Sequence, residues 1–499
     1  MKSWNDYNIK YMKRHHLIFI AILLIALFFR TFKIVERFDF AHDGDLYSWI
    51  VKDIVVNHHF RLIGQLTSAP GIFIGPLFYY ALIPFFLLTN MDPIGALIPI
   101  TSLSLFTVFS YYLVLSKLFK KEVGLIAAFL YSVLLTTVGS DRWVVPTVAT
   151  SIWAIWYFYT LIMLSRGNFF VLPILGVLIG LIWHIHIALI PTLLAIPLAI
   201  LISRKLPNLK QVLGFLIGFF IFSLPLIGFE IRHNFSQTLS LISNFTTQNP
   251  GLTGFDKMQL VIGMIVRNTN SLFFSPQSFS FTNNFLFVLI ILLSALLPVK
   301  IKLLSLKELL PLYAWIIGPI IFFSISKSPI SEYYFANIGV IFIVIASLLL
   351  YLIYKSSKIG KFIVLGLFAI ICLKNAYFLI TQDYYNKGYL ERKELVDFIK
   401  KDSSEKGYPC VGISYITTLG ENVGFRYFFY LNKMHLVHPS IDVPTYNIVI
   451  PLELSKETEK KFGHIGLILP TSVPSKEKME KSCQTPDTNL TDSVFGYVE

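Results

Sequence analysis

The chain has 499 residues, of which 55% are hydrophobic and only 14% charged, and its mean hydropathy is +0.66. A soluble core could not bury 45 Phe and 25 Tyr together with several long apolar runs. This composition excludes a secreted, disordered or nucleic-acid-binding protein and predicts a polytopic membrane protein.

Eleven stretches are apolar and long enough to cross about 30 Å of hydrocarbon. They are residues 16–34, 94–116, 122–139, 143–164, 168–185, 187–203, 209–228, 283–300, 307–326, 334–354 and 361–380. We therefore expect an α-helical membrane domain over residues 1–382 with about 11 transmembrane helices. A site of small residues for cleavage does not follow the first run, which predicts a retained helix rather than a signal peptide.

The apolar run 72–88 decides which way the spans face, because it is interrupted by Gly75, Pro76 and Pro84. If it does not span, 17 basic residues at the N-terminus and in the links between spans fall on one side, joined by only three acidic residues. Basic residues near span ends favour the cytoplasm. We therefore predict a re-entrant or interfacial helix on the outer face, a cytoplasmic N-terminus and a multi-pass protein of the plasma or inner membrane.

The sequence becomes polar from residue 383 onwards. Its pattern predicts a small α/β domain over residues 383–499, with helices at 391–400 and 422–430 and strands at 410–416, 446–451 and 464–469. An odd number of spans after a cytoplasmic N-terminus makes this domain extracytoplasmic. We expect a loosely ordered tail from Ser472. Cys410 and Cys483 lie in polar sequence, and the spacing leaves open whether they pair.

The first outer loop contains the acidic triplet Asp43-Gly44-Asp45, preceded by Asp39. Carboxylates beside a span are costly near lipid and are retained mainly where they have a task. One interpretation is a general base with a helper carboxylate. The alternative is that Asp43 or Asp45 caps a solvated helix that begins near Tyr47.

The segment 62–80 is rich in Gly and Pro, which force irregular backbone at membrane depth. Such backbone is tolerated only against protein or a wet cavity, so this segment is predicted to form a cavity wall. Tyr79 and Tyr80 are candidates to line that wall. A place in the interfacial aromatic belt is the commoner role for a tyrosine at this depth.

Further motifs follow at the predicted outer ends of spans. They are Gly75-Pro76-Leu77-Phe78-Tyr79-Tyr80, Asp141-Arg142-Trp143 with Pro146, His184-Ile185-His186, Leu224-Pro225 through Glu230-Ile231-Arg232-His233, and Tyr333-Tyr334. Together with the acidic triplet, this ordered series resembles the lipid-linked-sugar glycosyltransferases of the GT-C fold, over roughly residues 15–380. Within that fold the chain is most similar to glycosyltransferase family 39, which includes protein O-mannosyltransferases and bacterial aminoarabinose transferases. Those relatives often have an adjacent acidic pair, whereas Gly44 separates the two carboxylates here, so the base is Asp43 or Asp45; we predict Asp43.

The resemblance implies a donor in which one sugar is linked to a polyprenyl phosphate at the outer leaflet. Cleavage leaves negative charge on that phosphate, so cations are expected around it. The candidates on the correct face are Arg142, His186, Arg232 and His233, with Arg267, in a long predicted loop over residues 231–281, a weaker one. Arg30, Lys33 and Arg37 violate the charge rule and are either noise or phosphate ligands. Each histidine is as readily interpreted as a polar cap on a helix end, and Arg232 as the partner of Glu230 or of an anionic lipid headgroup.

The implied mechanism is a single in-line displacement with inversion, as expected of a hexosyl or pentosyl transferase. Asp43 removes the acceptor proton, Asp45 or Asp141 orients the acceptor or supports the base, and Arg232 with His186 stabilises the phosphate. Glu230, Tyr333 and Tyr334 are expected to line the cavity with Tyr79 and Tyr80. The acceptor is a lipid, a glycan or a protein, and membrane lipids rather than nucleic acid are the other partners. No cofactor or metal site is expected, although Asp43, Asp45 and His42 have the atoms to hold a divalent ion.

Two other classes of protein compete with a transferase. A secondary transporter or lipid flippase also needs many spans and broken helices, and Pro191, Pro197 and Pro225 would suit one. Against it, the ionisable residues gather at outer span ends rather than near the middle of the bilayer, and no inverted repeat is visible. A non-catalytic assembly factor would leave the acidic loop unexplained.

Overall fold

The computed structural model describes residues 2–246, 252–274, 284–327, 329–382, 387–471 and 473–491. Up to residue 382 the described chain is almost entirely helical. Its α-helices are α1 (Lys2–Thr31), α2 (His42–Val56), α3 (Leu77–Leu88), α4 (Leu97–Leu118), α5 (Lys121–Val133), α6 (Leu135–Arg142), α7 (Thr150–Ser165), α8 (Leu172–Ile185), α9 (Ala195–Ser203), α10 (Leu209–Arg232), α11 (Ser236–Thr246), α12 (Phe255–Phe273), α13 (Phe285–Ser294), α14 (Leu296–Lys300), α15 (Leu306–Ile325), α16 (Gly339–Ser356) and α17 (Lys358–Thr381). Short 3₁₀ turns precede several of them.

Seven helical segments in the described chain are long and apolar enough to cross a membrane, which makes this a multi-pass membrane protein. They are Arg14–Thr31, Pro93–Leu118, Pro146–Ser165, Leu209–Arg232, Leu306–Ile325, Glu332–Ser356 and Lys358–Thr381. The pair α5 and α6, bent by 67°, is an eighth if it forms one span. The remaining three predicted spans are the shorter helical segments Phe169–Ile185, Ile187–Ser203 and Phe285–Lys300, so the count of 11 stays a prediction.

The run 72–88 does not form a helix long enough to span. Only α3 is helical, and its 12 residues would extend about 18 Å. The backbone before α3 is satisfied locally: the amide of Gly64 donates to the carbonyl of Ile74 over 2.6 Å, and Gly75 donates to the carbonyl of Trp183 over 2.7 Å. The re-entrant or interfacial placement of the run 72–88 stays a prediction. We call the irregular backbone that precedes α3 the 61–76 segment.

Helices α8 and α10 pack with their backbones in close contact through small residues. A Cβ atom on Gly176 would lie 2.1 Å from the carbonyl oxygen of Phe215, and one on Gly218 would lie 2.7 Å from that of Pro173. Each helix carries two glycines four positions apart, the pattern that allows close approach of helices in membranes. The pairing brings the end of α8, with His184, beside the last turns of α10.

The predicted loop 231–281 contains two helices, α11 and α12, so the sequence interpretation was wrong there. Buried residues of α12 recur at helical spacing, as Val261, Ile265, Thr269 and Leu272 do. This helix carries charged residues as well, which lowers the mean hydropathy that identifies spans. Residues 247–251 and 275–283 of the predicted loop lie outside the described chain.

The C-terminal region forms the expected α/β unit around one five-stranded sheet. Its elements are α18 (Tyr389–Glu405), β1 (Val411–Thr417), α19 (Arg426–Leu431), β2 (Leu436–Val437), β3 (Thr445–Ile450), β4 (Lys460–Phe462), β5 (Ile465–Ile468), α20 (Lys476–Ser482) and α21 (Thr488–Thr491). The strand order is β2-β1-β3-β5-β4, with β1 parallel to β2 and β3, and β5 antiparallel to β3 and β4. The short strands β2 and β4 were not predicted.

The polar tail is more ordered than its composition suggests. Cys483 forms a disulfide with Cys410, with the two Cα atoms 5.6 Å apart. Asn489 accepts a hydrogen bond from Arg426 and donates another to the backbone carbonyl of that residue. These contacts hold residues 473–491 to the domain although the segment has no apolar periodicity, and residues 492–499 lie outside the described chain.

The C-terminal unit packs against α2, α3 and the loop between α1 and α2. One continuous cluster of buried side chains includes residues of α2 and α3 as well as residues of α18, α19 and the sheet. The rings of Phe40 and Phe428 lie 4.8 Å apart, and Tyr389 donates its hydroxyl to Asp92 over 2.6 Å. Lys393 forms an ion pair with the same Asp92. The C-terminal unit and the acidic triplet therefore lie at the same end of the helical membrane part.

Candidate active site

Asp43 and Asp45 both lie in the first turn of α2 but point in different directions. Two positions along an α-helix differ by about 200° around its axis. The N-cap of α2 is Ala41, which makes no side-chain cap, so neither aspartate caps this helix. The two carboxylates have different partners.

Asp45 is buried and holds the C-terminal unit. Its Oδ1 accepts a hydrogen bond from the backbone amide of Tyr427 over 2.8 Å, in the first turn of α19. Burial raises the pKa of Asp45 to about 6, and only part of that rise is offset by the Tyr427 amide and by Arg426. Asp45 therefore makes a contact between the two parts of the chain rather than facing an open site.

We expect Asp45→Asn to be at least as stable as the wild type at pH 7.5. The pKa of about 6 in the folded protein exceeds the ordinary 3.8, so the folded state binds the proton more tightly. Stability should fall as pH rises from about 4 to about 6, by about 3 kcal/mol at 1.36 kcal/mol per pKa unit. An asparagine side chain keeps an oxygen that accepts from the Tyr427 amide, but it carries no charge whose burial would lower stability. Melting temperatures of both proteins between pH 4 and 7.5 measure the effect, and a lower melting temperature for the variant at pH 7.5 would contradict it.

Asp43 is half-buried and faces the 61–76 segment. The side-chain amide of Gln65 lies 3.5 Å from its Oδ1, at the limit of a hydrogen bond. Gln65 is itself fixed by the buried Tyr79, whose hydroxyl accepts from the Gln65 backbone amide over 3.1 Å and donates to the Gln65 side chain over 3.0 Å. Burial raises the pKa of Asp43, against the opposing effects of His42 and Gln65. A half-buried carboxylate of raised pKa suits proton abstraction.

The same segment reaches a second group of predicted residues through Ser68. The hydroxyls of Ser68 and Tyr334 lie 2.5 Å apart, and the ring of Tyr334 lies 4.8 Å from that of His186. Tyr333 packs against His186 at 5.4 Å. Ser68, His186 and Tyr334 line a cavity of about 120 Å³, and Asp43 is not among its lining residues.

His186 lies between the end of α8 and the 3₁₀ helix Ile187–Leu194. Its side chain is buried and neutral at pH 7. Burial lowers its pKa to about 4. Its Nδ1 accepts from the backbone amide of Ala188 over 3.1 Å, so the proton of the neutral ring is assigned to Nε2. The residue is therefore a neutral hydrogen-bond donor, and the cationic role expected from the sequence requires a ligand that restores the charge.

The end of α10 carries Glu230 on its buried side and Arg232 and His233 on its exposed side. Glu230 accepts weakly from the amide of Thr238 over 3.4 Å, and its other oxygen has no hydrogen-bond partner among the described residues. Next to Thr238 is the buried Gln237, which accepts from the backbone amide of Phe73 over 2.7 Å. Gln237 thus ties α11 to the 61–76 segment, a contact that no sequence pattern indicated.

Several other predicted site residues are engaged in structural contacts. Asp141 is buried and accepts from Arg30, Ser104 and Tyr131, each over 2.6 Å. Arg30 is therefore the partner of a carboxylate. Arg142 donates to the backbone carbonyl of Phe32 over 3.0 Å.

Hydrogen bonds or ion pairs also hold the side chains of four further predicted residues. The hydroxyl of Tyr80 binds the backbone amide and carbonyl of Arg61. Arg37 donates to the carbonyl of Gln382 over 2.7 Å. Arg267, the weaker phosphate candidate, forms an ion pair with Glu332 at 3.1 Å. His184 accepts from the amide of Leu77 and lies 2.8 Å from the carbonyl of Phe222, so it joins α3, α8 and α10.

The structure thus brings Asp43, Tyr79, Tyr334 and His186 together along the 61–76 segment. Sequence reasoning missed Gln65 and Ser68, whose only signal was their place in the predicted cavity wall. Within the described ranges no three His, Cys, Asp or Glu side chains are grouped as metal ligands.

An apolar groove of about 510 Å³ lies beside this group of residues. It is bordered by α3, α4, α7 and α8, with Phe78, Ile100, Trp153 and Trp156 among its lining residues, and His184 lies in its wall. Such a lining accommodates hydrocarbon and offers almost no hydrogen bonds.

The architecture is similar to that of two solved proteins. ArnT from Cupriavidus metallidurans, bound to undecaprenyl phosphate, superposes with a TM-score of 0.55 at 11% identity over 92% of this chain and 98% of that chain. The oligosaccharyltransferase AglB from Archaeoglobus fulgidus, in complex with an inhibitory peptide and a dolichol-phosphate, superposes with a TM-score of 0.51 at 13% identity over 93% of this chain and 75% of that chain. The chain therefore has the GT-C fold, as the sequence motifs predicted. The sequence matches no protein-family model and no curated protein.

Proposed function

We propose that the protein transfers a single sugar from a polyprenyl-phosphate donor to an acceptor on the extracytoplasmic face of the membrane. The GT-C fold supports this proposal, as do the ligands of two similar structures, undecaprenyl phosphate in ArnT and dolichol-phosphate in AglB. The apolar groove of about 510 Å³ suits a polyprenyl tail. The disulfide between Cys410 and Cys483 supports an extracytoplasmic C-terminal unit, because disulfides persist in oxidising compartments.

The observation that carries the proposal is the different engagement of the two first-loop carboxylates. Asp45 is buried against Tyr427. Asp43 is half-buried and only weakly bound by Gln65, and burial raises its pKa. Asp43 takes the proton of the acceptor, and the acceptor oxygen displaces the lipid phosphate from the anomeric carbon with inversion. Arg232, exposed at the end of α10, and the Nε2–H of His186 stabilise the departing phosphate. The geometry around Asp141 favours a structural role for that residue.

The test is transfer of radiolabelled sugar from short-chain polyprenyl-phosphate donors by the purified full-length protein in lipid nanodiscs. We expect Arg232→Ala to raise the KM for donor by about 10- to 100-fold, because a hydrogen bond to a charged group contributes about 1.5–3 kcal/mol. Lys210→Ala is the matched control, since Lys210 is an exposed cation at the other end of the same helix. An equal effect of both substitutions would remove Arg232 from the phosphate site.

A chelator arm and a flux arm complete this test. Transfer that survives EDTA establishes a metal-independent enzyme, whereas loss restored by added Mg²⁺ or Mn²⁺ would assign an ion to the acidic triplet. No consumption of any donor, combined with lipid or solute flux in liposomes, would replace the transferase with a flippase or transporter.

A further inference from the structure

A second cavity, of about 250 Å³, lies between α6, α7, α12 and the segment that leads into α16. Its lining includes Ser140, Trp143, Thr147, Thr150, Ser151 and Asn268. Its described lining residues include no Asp, Glu, Lys, Arg or His. The volume equals that of about eight waters at about 30 Å³ each, which is enough for one six-membered sugar ring.

Two hydroxyls that line this cavity differ in their hydrogen bonding from other hydroxyls in the helices of this protein. Hydroxyls in apolar helices commonly donate to the backbone carbonyl three or four residues earlier. Ser110, Ser132 and Ser347 do so here, at 2.9, 2.6 and 2.7 Å. The hydroxyls of Thr147 and Ser151 make no hydrogen bond to any described residue. They are therefore free to bind a ligand in the cavity.

Trp143 adds an apolar face at the rim of the cavity. Its side chain is 42% exposed, so a ligand in the cavity can reach the ring. Uncharged hydroxyl donors and acceptors together with an exposed aromatic face match a neutral sugar, which has hydroxyls around its edge and C–H groups on its faces. A phosphate would instead require cations, which the described lining does not supply.

The cavity is adjacent to the candidate active site. Tyr333 lines it and also packs against His186 and Tyr334. Tyr334 contacts Ser68, which is three residues from Gln65, the neighbour of Asp43. Three residues of extended chain reach about 10 Å at most, so Ser68 lies near Gln65, and Tyr334 and Tyr333 continue the path from Ser68 to the cavity.

We propose that this cavity binds one uncharged sugar residue. Resting on the proposed function, we assign that sugar to the acceptor, which is then a glycan or glycolipid with a neutral sugar close to the site of transfer. The ring stacks on Trp143, and its hydroxyls bind Thr147 and Ser151.

The first test measures binding without chemistry, with the full-length protein in nanodiscs free of sugar-based detergent. Calorimetric titration uses the methyl glycosides of glucose, galactose, mannose and N-acetylglucosamine, with glucose 6-phosphate as the charged probe. We expect saturable binding of at least one neutral glycoside, weakened at least tenfold by Thr147→Val and by Trp143→Ala but not by Trp143→Phe. Thr381→Val is the matched control, because Thr381 is exposed on α17 and its hydroxyl donates to Tyr377. Binding of none of the glycosides, equal binding by all variants, or a preference for the phosphate would overturn the proposal.

The second test separates the acceptor from the donor sugar and from the proposed function itself. Donor hydrolysis by water, without acceptor, should keep its KM in Thr147→Val if the cavity holds the acceptor. A raised KM would assign the cavity to the donor sugar and overturn the assignment to the acceptor. Glycoside binding by a protein that consumes no donor would retain the cavity and reject the transferase. Asp43-dependent transfer without glycoside binding would reject the cavity alone.

Discussion

Asp43→Asn is expected to reduce sugar transfer by about 10²- to 10⁴-fold, the range that general-base catalysis contributes. The variant keeps the shape of the side chain and the contact with Gln65, but it cannot accept the acceptor proton. Because burial raises the pKa of Asp43, the acidic limb of the wild-type rate profile should lie above the ordinary pKa of 3.8, with activity rising as pH increases through that limb. The measurement is kcat against pH in the nanodisc transfer assay.

Asp45→Asn is the matched control for this prediction, since it lies two positions away on the same helical turn. It should retain most of the transfer activity, because the asparagine oxygen can still accept from Tyr427. The outcome that would sink the assignment is a larger loss in Asp45→Asn than in Asp43→Asn, with both proteins folded. That result would make Asp45 the base and would require the C-terminal unit to move away during turnover.

Asp141→Ala should destabilise the membrane part by about 3–5 kcal/mol, the usual cost of breaking a buried ion pair. The substitution leaves the guanidinium of Arg30 buried, with 1% of its side chain exposed. That guanidinium would keep its contact with the Ser104 hydroxyl and its contacts with backbone carbonyls, such as that of Ser132 at 2.9 Å. Thermal unfolding in detergent measures the loss, and Arg30→Met combined with Asp141→Leu should recover part of it.

An exposed ion pair provides the control. Lys401 and Glu405 are 4.0 Å apart, with side chains 75% and 66% exposed, and Glu405→Ala should change stability by less than about 1 kcal/mol. If Asp141→Ala melts like the wild type yet loses transfer, the residue belongs to the catalytic group and the structural interpretation is wrong.

The fold was largely predictable because its signals are local. Apolar runs give spans directly, and the charges of their links predict a topology in which 72–88 does not cross. In that run only the 12 residues of α3 form an α-helix. The sheet strands β1, β3 and β5 were visible as short apolar runs. Helix α12 was missed because its apolar residues occupy one face only, so a hydropathy average across the whole helix hides them.

The site was less predictable, because the partners of its residues come from distant parts of the chain. Asp43 and Asp45 look alike in sequence, and the contact that holds Asp45 comes from the amide of Tyr427, 382 positions away. In the same way, the ion pair of Asp141 with Arg30, 111 positions away, is not visible in the motif around Asp141. The neutral state of His186 depends on its burial, which no motif encodes. The catalytic and phosphate-binding roles themselves stay predictions.

Because α2 and the C-terminal unit share one buried core, substitutions in one part have to remain compatible with the other. Phe40 and Trp49 on one side meet Phe428 and Tyr427 on the other, so loss of these aromatic contacts disturbs the helix that carries Asp43. Exchange of the C-terminal unit between distant relatives would therefore have to include α2 and the loop before it, so that the two buried surfaces still match.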